Sequence, residues 1–574
     1  MATSANKLKR QVIASFKRRG LSLSPSALQA LLNILSHKNS SSNDDPLQTI
    51  SQILDEIRDL QSSLSNTSNI ISKDFLSTVI ASMTKDDNDL MNEALQLIDL
   101  HTPDSISHNM GMPVLKYDSM KKRFSLDAPP KSSYFGTVDD KIDMLLQRYH
   151  LIQQRLLRQP MFQKNHNGES ISLTAIEGLL GASGTKILLG IIHQGQDGKY
   201  LLEDPSSSVP MDISQAEFLS DGFITEQSIV LVEGKMQDGV LLVQKIGQPI
   251  YESRKSAVSS IGLQNCDFFR AIPTLSELSK LQQEELDHGE ESMFVLLSDV
   301  HLDNPRVLER LQKMFQGYEQ LDPLPVFILM GDFMSKYPSS NEKQGSADMF
   351  SSTIMGYFDD LANIIATAPK VQKEGKFIVV PGPNDPGLSH VYPRPKIPDY
   401  FTQNLRRKVT NVHMTSNPCR LRFFSQEYVI GRLDVVKLLR KECIVDPPMQ
   451  LMDAHDEDED GEDANMKDDK NQDVSQVLVQ HAIKTMLSQG HLCPVPNSTL
   501  PVYWTQDHLM RLYPPPNAIF LGDQSAQPYY ETYEKDCDIM NPGAFHLNGE
   551  FLVFRPVDLE SGERKADCEF SQID

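Results

Sequence analysis

The hydrophobic spacing of the first hundred residues predicts short helices. Leu8, Val12 and Phe16 recur at helical intervals, and the same periodicity returns further along, including residues 89–98. We therefore predict a helical domain over residues 1–100. It carries no candidate catalytic residue. A simple helical bundle and a docking module both fit this pattern, and the docking module is the functional interpretation that we retain.

Residues 101–165 have the pattern of a linker followed by one long helix. The first part, KYDSMKKRFSLDAPPKSSYFGTV at 116–138, mixes charges, serines and prolines. The second part, DDKIDMLLQRYHLIQQRLLRQP at 139–160, has amphipathic helical periodicity. Pro160 ends it, because proline lacks the amide hydrogen that a helix interior requires.

From residue 166 to 255 the period shortens to that of strands. Five short apolar runs are separated by turn pairs such as Asp197-Gly198 and Asp238-Gly239. This arrangement predicts a small Greek-key barrel of the OB type. OB barrels commonly bind single-stranded nucleic acid by stacking bases on aromatic rings. Few aromatic residues other than Tyr200 lie in these strands, so a protein-docking barrel is favoured over a free single-strand-binding protein.

A polar connection at residues 256–291 leads into a C-terminal domain at 292–574. Continuous apolar runs alternate there with helical segments, as is typical of an α/β sheet buried on both faces. Residues 452–473 contain eleven acidic residues and two lysines. Such a run cannot bury itself, so we predict a disordered acidic insertion. The fold class is multidomain α+β.

Composition narrows the function classes. The six cysteines are scattered without a C-x-x-C pair, which argues against a zinc ribbon or a disulfide framework and fits a reducing compartment. A net charge of −22 is a poor match for a protein whose main task is binding a phosphate backbone. No apolar run approaches the roughly 20 residues of a membrane span, and we expect no secretory signal.

The ends of the apolar runs carry the candidate chemistry. Asp299-x-His301 follows the first run, Gly331-Asp332 follows the second, and His491 comes later after a helical segment. Their order resembles that of the calcineurin-like metallophosphoesterase superfamily, whose motifs are D-x-H, G-D, G-N-H-[DE], H and G-H-x-H. The resemblance implies a sandwich of β-sheets and a pair of metal ions that bind phosphate and activate water.

Four positions depart from that pattern. Pro383 stands where the family has its asparagine ligand, and Asn384 replaces the catalytic histidine. In the fifth motif Asp523 and Ser525 replace both histidines. An asparagine cannot act as a general acid near pH 7. We therefore expect an inactivated phosphoesterase domain with no metal, no cofactor and no catalytic residue. An active metal-dependent phosphoesterase or nuclease with an OB substrate-binding domain is the alternative.

An OB-type barrel followed by such a domain resembles the B subunits of replicative DNA polymerases. The segments VPGPNDPG, NPCRLRF, LSQGHLCPVP and PVYW are similar to the epsilon members of that family, as is the opening KRQVIASFKRRGLSL. The resemblance covers nearly the whole chain apart from the acidic insertion. The segments VPGPNDPG and LSQGHLCPVP are the most specific features of this resemblance.

The resemblance implies a non-catalytic scaffold subunit in the nucleus. Its implied partners are the C-terminal zinc-bearing domain of the catalytic subunit and the small histone-fold subunits of the same complex. Through the N-terminal domain it would also reach the helicase assembly, including the GINS complex. DNA contact would come mainly through the complex, and no membrane partner is implied.

Overall fold

The fold divides into two compact units, Met1–Ala94 and Leu95–Asp574. The computed structural model describes residues 112–127, 135–163, 171–259, 292–336, 347–387, 390–445, 469–558 and 565–573, apart from 119, 122, 196, 197 and 220, together with residues 17, 22, 23, 28, 70, 71, 95–98, 282, 283, 285 and 447. In the first unit, the two-residue strands Ser22–Leu23 and Ile70–Ile71 pair in parallel. The helices predicted for that unit lie almost entirely outside the described residues.

The second unit begins with strands where a helix and a linker were predicted. Strand β1, Leu95–Ile98, occupies the end of the predicted helix 89–98 and pairs with residues 419–423. The linker contains a hairpin of β2, Val114–Asp118, and β3, Arg123–Asp127. The helix predicted over the last residues of 89–98 is wrong, because pairing with a distant strand overrides local periodicity in so short an element. The hairpin is local pairing within the predicted linker.

Helix α1, Val138–Leu157, confirms the predicted long helix. It begins with a capping box, in which the Thr137 side chain accepts from the Asp140 amide and the Asp140 carboxylate accepts from the Thr137 amide. It ends before Pro160, which starts a short 3-10 turn. Its buried face, which includes Ile152 and Leu156, packs against the hairpin and the barrel.

The OB barrel is present with the five predicted strands. The strands of this region are β4 Lys186–Gln194, β5 Tyr200–Glu203, β6 Ser208–Asp212, β7 Glu217–Phe218, β8 Ile224–Thr225, β9 Ile229–Gln237 and β10 Val240–Gly247. Their order is β9-β4-β5-β6-β10-β7, and β9 also pairs with β10, which closes the barrel. Leu188, Val230 and Leu241 fill its interior.

The rest of the second unit contains two six-stranded sheets. Its elements are α2 Arg254–Ser259, β11 Phe294–Leu297, α3 Pro305–Tyr318, β12 Val326–Met330, α4 Ala347–Ile365, α5 Pro369–Glu374, β13 Lys376–Val380, α6 Asp399–Lys408, β14 Asn411–Met414, β15 Cys419–Phe423, β16 Gln426–Arg432, α7 Val435–Lys441, β17 Cys443–Val445, α8 Asp469–Gln489, β18 Ala518–Gly522, β19 Tyr529–Tyr533, β20 Cys537–Asn541, α9 Phe545–Asn548, β21 Glu550–Asp558 and β22 Lys565–Gln572. The first sheet has the order β14-β13-β12-β11-β21-β22, and the second has β19-β20-β18-β16-β15-β1.

Aromatic rings join the two sheets face to face. The ring of Phe294 on β11 lies 5.3 Å from that of Phe423 and 5.7 Å from that of Tyr428, both on the second sheet. Helices α3, α4 and α6 pack on the outer face of the first sheet, and α7 and α8 pack on the outer face of the second. This mixed α/β organisation confirms the coarse fold class. No helix in the described part of the chain is long and apolar enough to cross a membrane.

Helix α8 anchors the barrel to the second sheet. The Phe223 amide donates to Thr485 Oγ1 at 2.7 Å, and the Gln489 side chain bonds both backbone groups of Ile229. Strand β8 of the barrel region also pairs with β17. The helix starts at Asp469, so the last residues of the predicted insertion 452–473 are helical. Residues 452–468 lie outside the described residues.

Replacing Phe294 with alanine should destabilise the second unit strongly. The change removes a fully buried ring that contacts both sheets, so the free energy of unfolding should fall by about 3–5 kcal/mol. Chemical denaturation measures this loss. The matched control is Phe570→Ala, since that ring is 47% exposed on β22 and should matter far less. Equal losses for the two variants would contradict the packing role of Phe294.

Candidate metal centre

Asp299 lies directly after β11, where the D-x-H motif predicts a metal ligand. It is fully buried, and its backbone adopts a left-handed conformation with φ of 55°. Its Oδ1 atom accepts from Arg432 Nη2 at 2.7 Å and Nε at 3.3 Å, while Oδ2 accepts from Ser298 Oγ at 2.9 Å. Both carboxylate oxygens are therefore already engaged by protein donors.

Arg432 ends β16 and supplies the positive charge at this site. Its side chain is fully buried, and Nη1 also bonds Asp434 Oδ1 at 2.7 Å. A Cβ atom at Gly522 would lie 2.8 Å from Arg432 Cδ, so the glycine leaves room for the arginine. Burial disfavours the charged guanidinium, but Asp299 and Asp434 outweigh it and raise the pKa of Arg432 above its ordinary value. The arginine remains a fixed cation.

Asp332, the second motif aspartate, is held by the residue that replaces the catalytic histidine. The Asn384 amide donates to Oδ1 and its side-chain Nδ2 donates to Oδ2, both at 2.7 Å. Burial raises the pKa of Asp332, and the charge of Arg432 opposes that shift. Asn384 therefore fastens its loop to the end of β12.

Asp385 and Pro383, in the same loop, also accept hydrogen bonds that hold the local structure. Asp385 accepts from the backbone amides of Phe333 and Gly382, and burial, with the nearby Asp332 charge, raises its pKa to about 8. The Pro383 carbonyl accepts from the Arg394 guanidinium. Pro383 itself offers no side-chain ligand, so this loop provides hydrogen-bond anchors where a metal site needs donors.

Asp523 and Ser525, in the loop after β18, cap the N-terminus of helix α7. Asp523 Oδ2 accepts from the Val436 amide at 3.0 Å, and Ser525 Oγ accepts from the Lys437 amide at 3.2 Å. The first amides of a helix lack partners within the helix, so these two side chains satisfy them. Histidines at these positions would lose that capping.

His301 stacks on another histidine. Its ring lies 3.9 Å from the ring of His546, with 21° between their planes. Burial lowers the pKa of His301 to about 4, and His546 acts in the same direction. The imidazole is therefore neutral near pH 7.

The structure places His491 in a different network. Its Nε2 atom lies 3.3 Å from Asp507 Oδ1 and 2.9 Å from Arg148 Nη2 of α1, and its Nδ1 accepts from the Cys493 amide. None of its described partners belongs to the group around Asp299. Arg511 also bonds Asp507, so this cluster joins α1 to the segment after α8.

The residues present do not fit a divalent metal ion. A cation is already supplied by Arg432, and positively charged groups repel one another at short range. Among the described residues, no group of three or more His, Cys, Asp or Glu side chains is arranged to hold a metal. Sequence reasoning missed Arg432, because β16 was not predicted and no motif marks the arginine. The run YVIGR before Asp434 was the available signal.

Replacing Arg432 with methionine should leave an uncompensated buried carboxylate. The free energy of unfolding should fall by about 3–5 kcal/mol. Adding Asp299→Asn should recover much of the loss, because the remaining group is then neutral. Urea denaturation of both single variants and the double variant measures the coupling.

The matched control is Arg555→Met, which removes a half-exposed ion pair with Asp567 and should cost less than about 1 kcal/mol. Strictly additive losses in the double variant would contradict the Arg432–Asp299 coupling.

His491 should make the folded state sensitive to acid. Burial, together with the charge of Arg148, lowers its pKa to about 4. The unfolded chain takes up this proton near pH 6.5, so it binds more protons between these values and stability falls as pH drops from about 6.5 to about 4. The variant His491→Gln should lose about 3 kcal/mol less over this interval. Denaturation at several pH values tests this, and an unchanged slope would contradict it.

Comparison with known proteins identifies the family. Residues 294–532 match the family model that describes the B subunit of DNA polymerases alpha and epsilon, and residues 138–250 match that of the DNA polymerase epsilon subunit 2-like OB-fold domain. The chain is 31% identical to DNA polymerase epsilon subunit 2 of Homo sapiens, over 96% of this chain and 97% of that protein. It is 30% identical to the DNA polymerase epsilon B subunit of Arabidopsis thaliana, over 97% and 99%. The chain thus belongs to the family of DNA polymerase epsilon B subunits.

Proposed function

We propose that this chain is a non-catalytic scaffold subunit of a DNA polymerase epsilon complex in nuclear DNA replication. The observation that carries the proposal is the buried ion pair between Arg432 and Asp299. In this ion pair, Arg432 occupies the Asp299 carboxylate, which in a phosphoesterase would bind the first metal ion. The family relationship supports the role in replication, because the relatives are named as subunits of this polymerase.

The two packed sheets support an inactivated calcineurin-like phosphoesterase domain. The motif residues Asp299 and Asp332 lie at the ends of neighbouring parallel strands, β11 and β12. Two-metal hydrolysis requires ligands for both ions and a water that one of them activates. Asn384 and Asp523 are engaged with Asp332 and α7 and cannot serve that chemistry.

The same arrangement favours a rigid binding body. Helix α8 bonds the barrel through Thr485 and Gln489, and α1 reaches the sheet domain through Arg148 and Asp507. We infer that this body holds the C-terminal zinc-bearing domain of the catalytic subunit. Residues 1–100 would reach the helicase assembly, including GINS, and the small histone-fold subunits would join the same complex.

The charge of the chain supports indirect contact with DNA. The net charge of −22 disfavours binding of this chain to a phosphate backbone. The catalytic subunit would therefore supply most of the DNA contact.

Co-purification tests the scaffold role. The full chain, expressed with the C-terminal domain of a polymerase epsilon catalytic subunit, should elute with it as one complex in size-exclusion chromatography. A chain that starts near residue 169 is a poor reagent, because it lacks α1 and exposes the apolar surface around Leu189 and Ile229 that packs in the same core as this helix. Separate elution of two folded proteins would overturn the scaffold proposal.

A phosphodiesterase assay tests the alternative function. With Mn²⁺ and a generic phosphodiester, the purified full chain should show no turnover above that of an Asp299→Ala preparation. Turnover that is lost in Asp299→Ala while Phe570→Ala retains it would support a metal-dependent phosphoesterase and overturn the non-catalytic assignment.

A further inference from the structure

A cavity of about 490 Å³ lies between α7 and α8, beside the loop that follows β18. Three cationic side chains of α7, Lys437, Arg440 and Lys441, form one wall. Leu478 of α8 and Ala526 of the loop add apolar surface. The cavity therefore combines positive charge with an apolar floor.

The cations of this pocket have no strong partner among the described residues. All three are exposed, and no Asp or Glu is among the residues that line the cavity. Among the described residues, their only ion pair joins Lys441 to its neighbour Glu442 at 3.4 Å, and that lysine side chain is 66% exposed. Arg440 and Lys441 stand in the last turn of α7, where cations favour the helix dipole. The helix dipole does not explain why Lys437 is cationic, because this residue is outside the last turn, and it does not explain the cavity.

The chain itself contains a strongly acidic segment between α7 and α8 in the sequence. Residues 452–468 hold nine acidic residues and one lysine, and also Ala464 and Met466. The segment is attached on one side through β17, which follows Lys441 after one residue, and on the other through α8, which lines the pocket. A tether this short holds the acidic residues near the pocket at an effective concentration on the order of millimolar.

We propose that the pocket between α7 and α8 receives the acidic segment 452–468 of the same chain. Its carboxylates pair with Lys437, Arg440 and Lys441, and its apolar residues lie against Leu478 and Ala526. Exposed ion pairs are individually weak and are screened by salt, so the docking adds little to the stability of the fold. It occupies a basic surface that other polyanions would otherwise contact.

Peptide binding in trans tests this docking. The probe is a fluorescein-labelled peptide of residues 452–468, and the receptor is the full chain from which those residues are deleted. Fluorescence anisotropy should show binding that weakens strongly when NaCl is raised from about 50 mM to about 500 mM. The intact chain should bind the peptide at least about tenfold more weakly, because its own segment competes.

Substitutions locate the binding surface. In the deleted chain, Lys437→Gln with Arg440→Gln and Lys441→Gln should weaken peptide binding at least about tenfold. The matched control makes the same charge change on α6, with Arg406→Gln, Arg407→Gln and Lys408→Gln, and should retain binding. Thermal unfolding confirms that both triple variants are folded.

Three results would overturn the proposal. Equal binding by the α7 triple variant and the α6 control would place the peptide elsewhere. Equal binding by the intact and deleted chains would show that the segment does not occupy the pocket in cis. Equal binding of a peptide with Asn and Gln in place of Asp and Glu would show that charge does not direct the contact.

Discussion

The ion pair between Arg432 and Asp299 is the constraint on which the two-sheet body depends. Removing two charges from water costs several kcal/mol for each ion, and only close, well-oriented partners offset that cost. Arg432 ends β16 in the second sheet, whereas Asp299 follows β11 in the first. The pair is satisfied only when the two sheets keep one relative position. Asp434 and the Gly522 carbonyl complete the surroundings of the guanidinium.

The residues at the altered motif positions have structural tasks. Asn384 fastens its loop to Asp332, and Asp523 and Ser525 accept hydrogen bonds from the first amides of α7. Restoring the histidines one by one would remove these bonds without removing the cation at Asp299. The chemistry of this site therefore differs from that of a metal centre, although its first two motifs match those of one. The same capping residues hold α7 in place and so help to form the basic pocket beside it.

Two helices make the barrel and the sheets into a single body. Arg155 of α1 donates to the carbonyls of Leu487 and Ser488 at the end of α8, while Gln489 bonds the barrel. These contacts are directional and buried, so they fix orientation as well as proximity. A rigid body of this kind suits the proposed scaffold role.

Much of this protein was determined by local sequence. Strong periodicity predicted α1, the barrel strands and the buried runs β11, β12 and β13, because long or continuous patterns leave few alternatives. The motifs located Asp299, Asp332 and the substitutions at Asn384 and Asp523, and they identified the family.

Only the tertiary structure decided what those motif residues do. Strands such as β1 and β16 are short or carry polar residues, so their pairing depends on distant partners and leaves little local signal. Arg432 lies 133 residues from Asp299 in the sequence, and no pattern in either segment indicates that they are in contact. His491 matched a motif by order, yet packing directs it to Arg148 and Asp507. The sequence determined which side chains were available, and the pairing of the sheets decided which charges met, because a buried charge is costly unless it is paired.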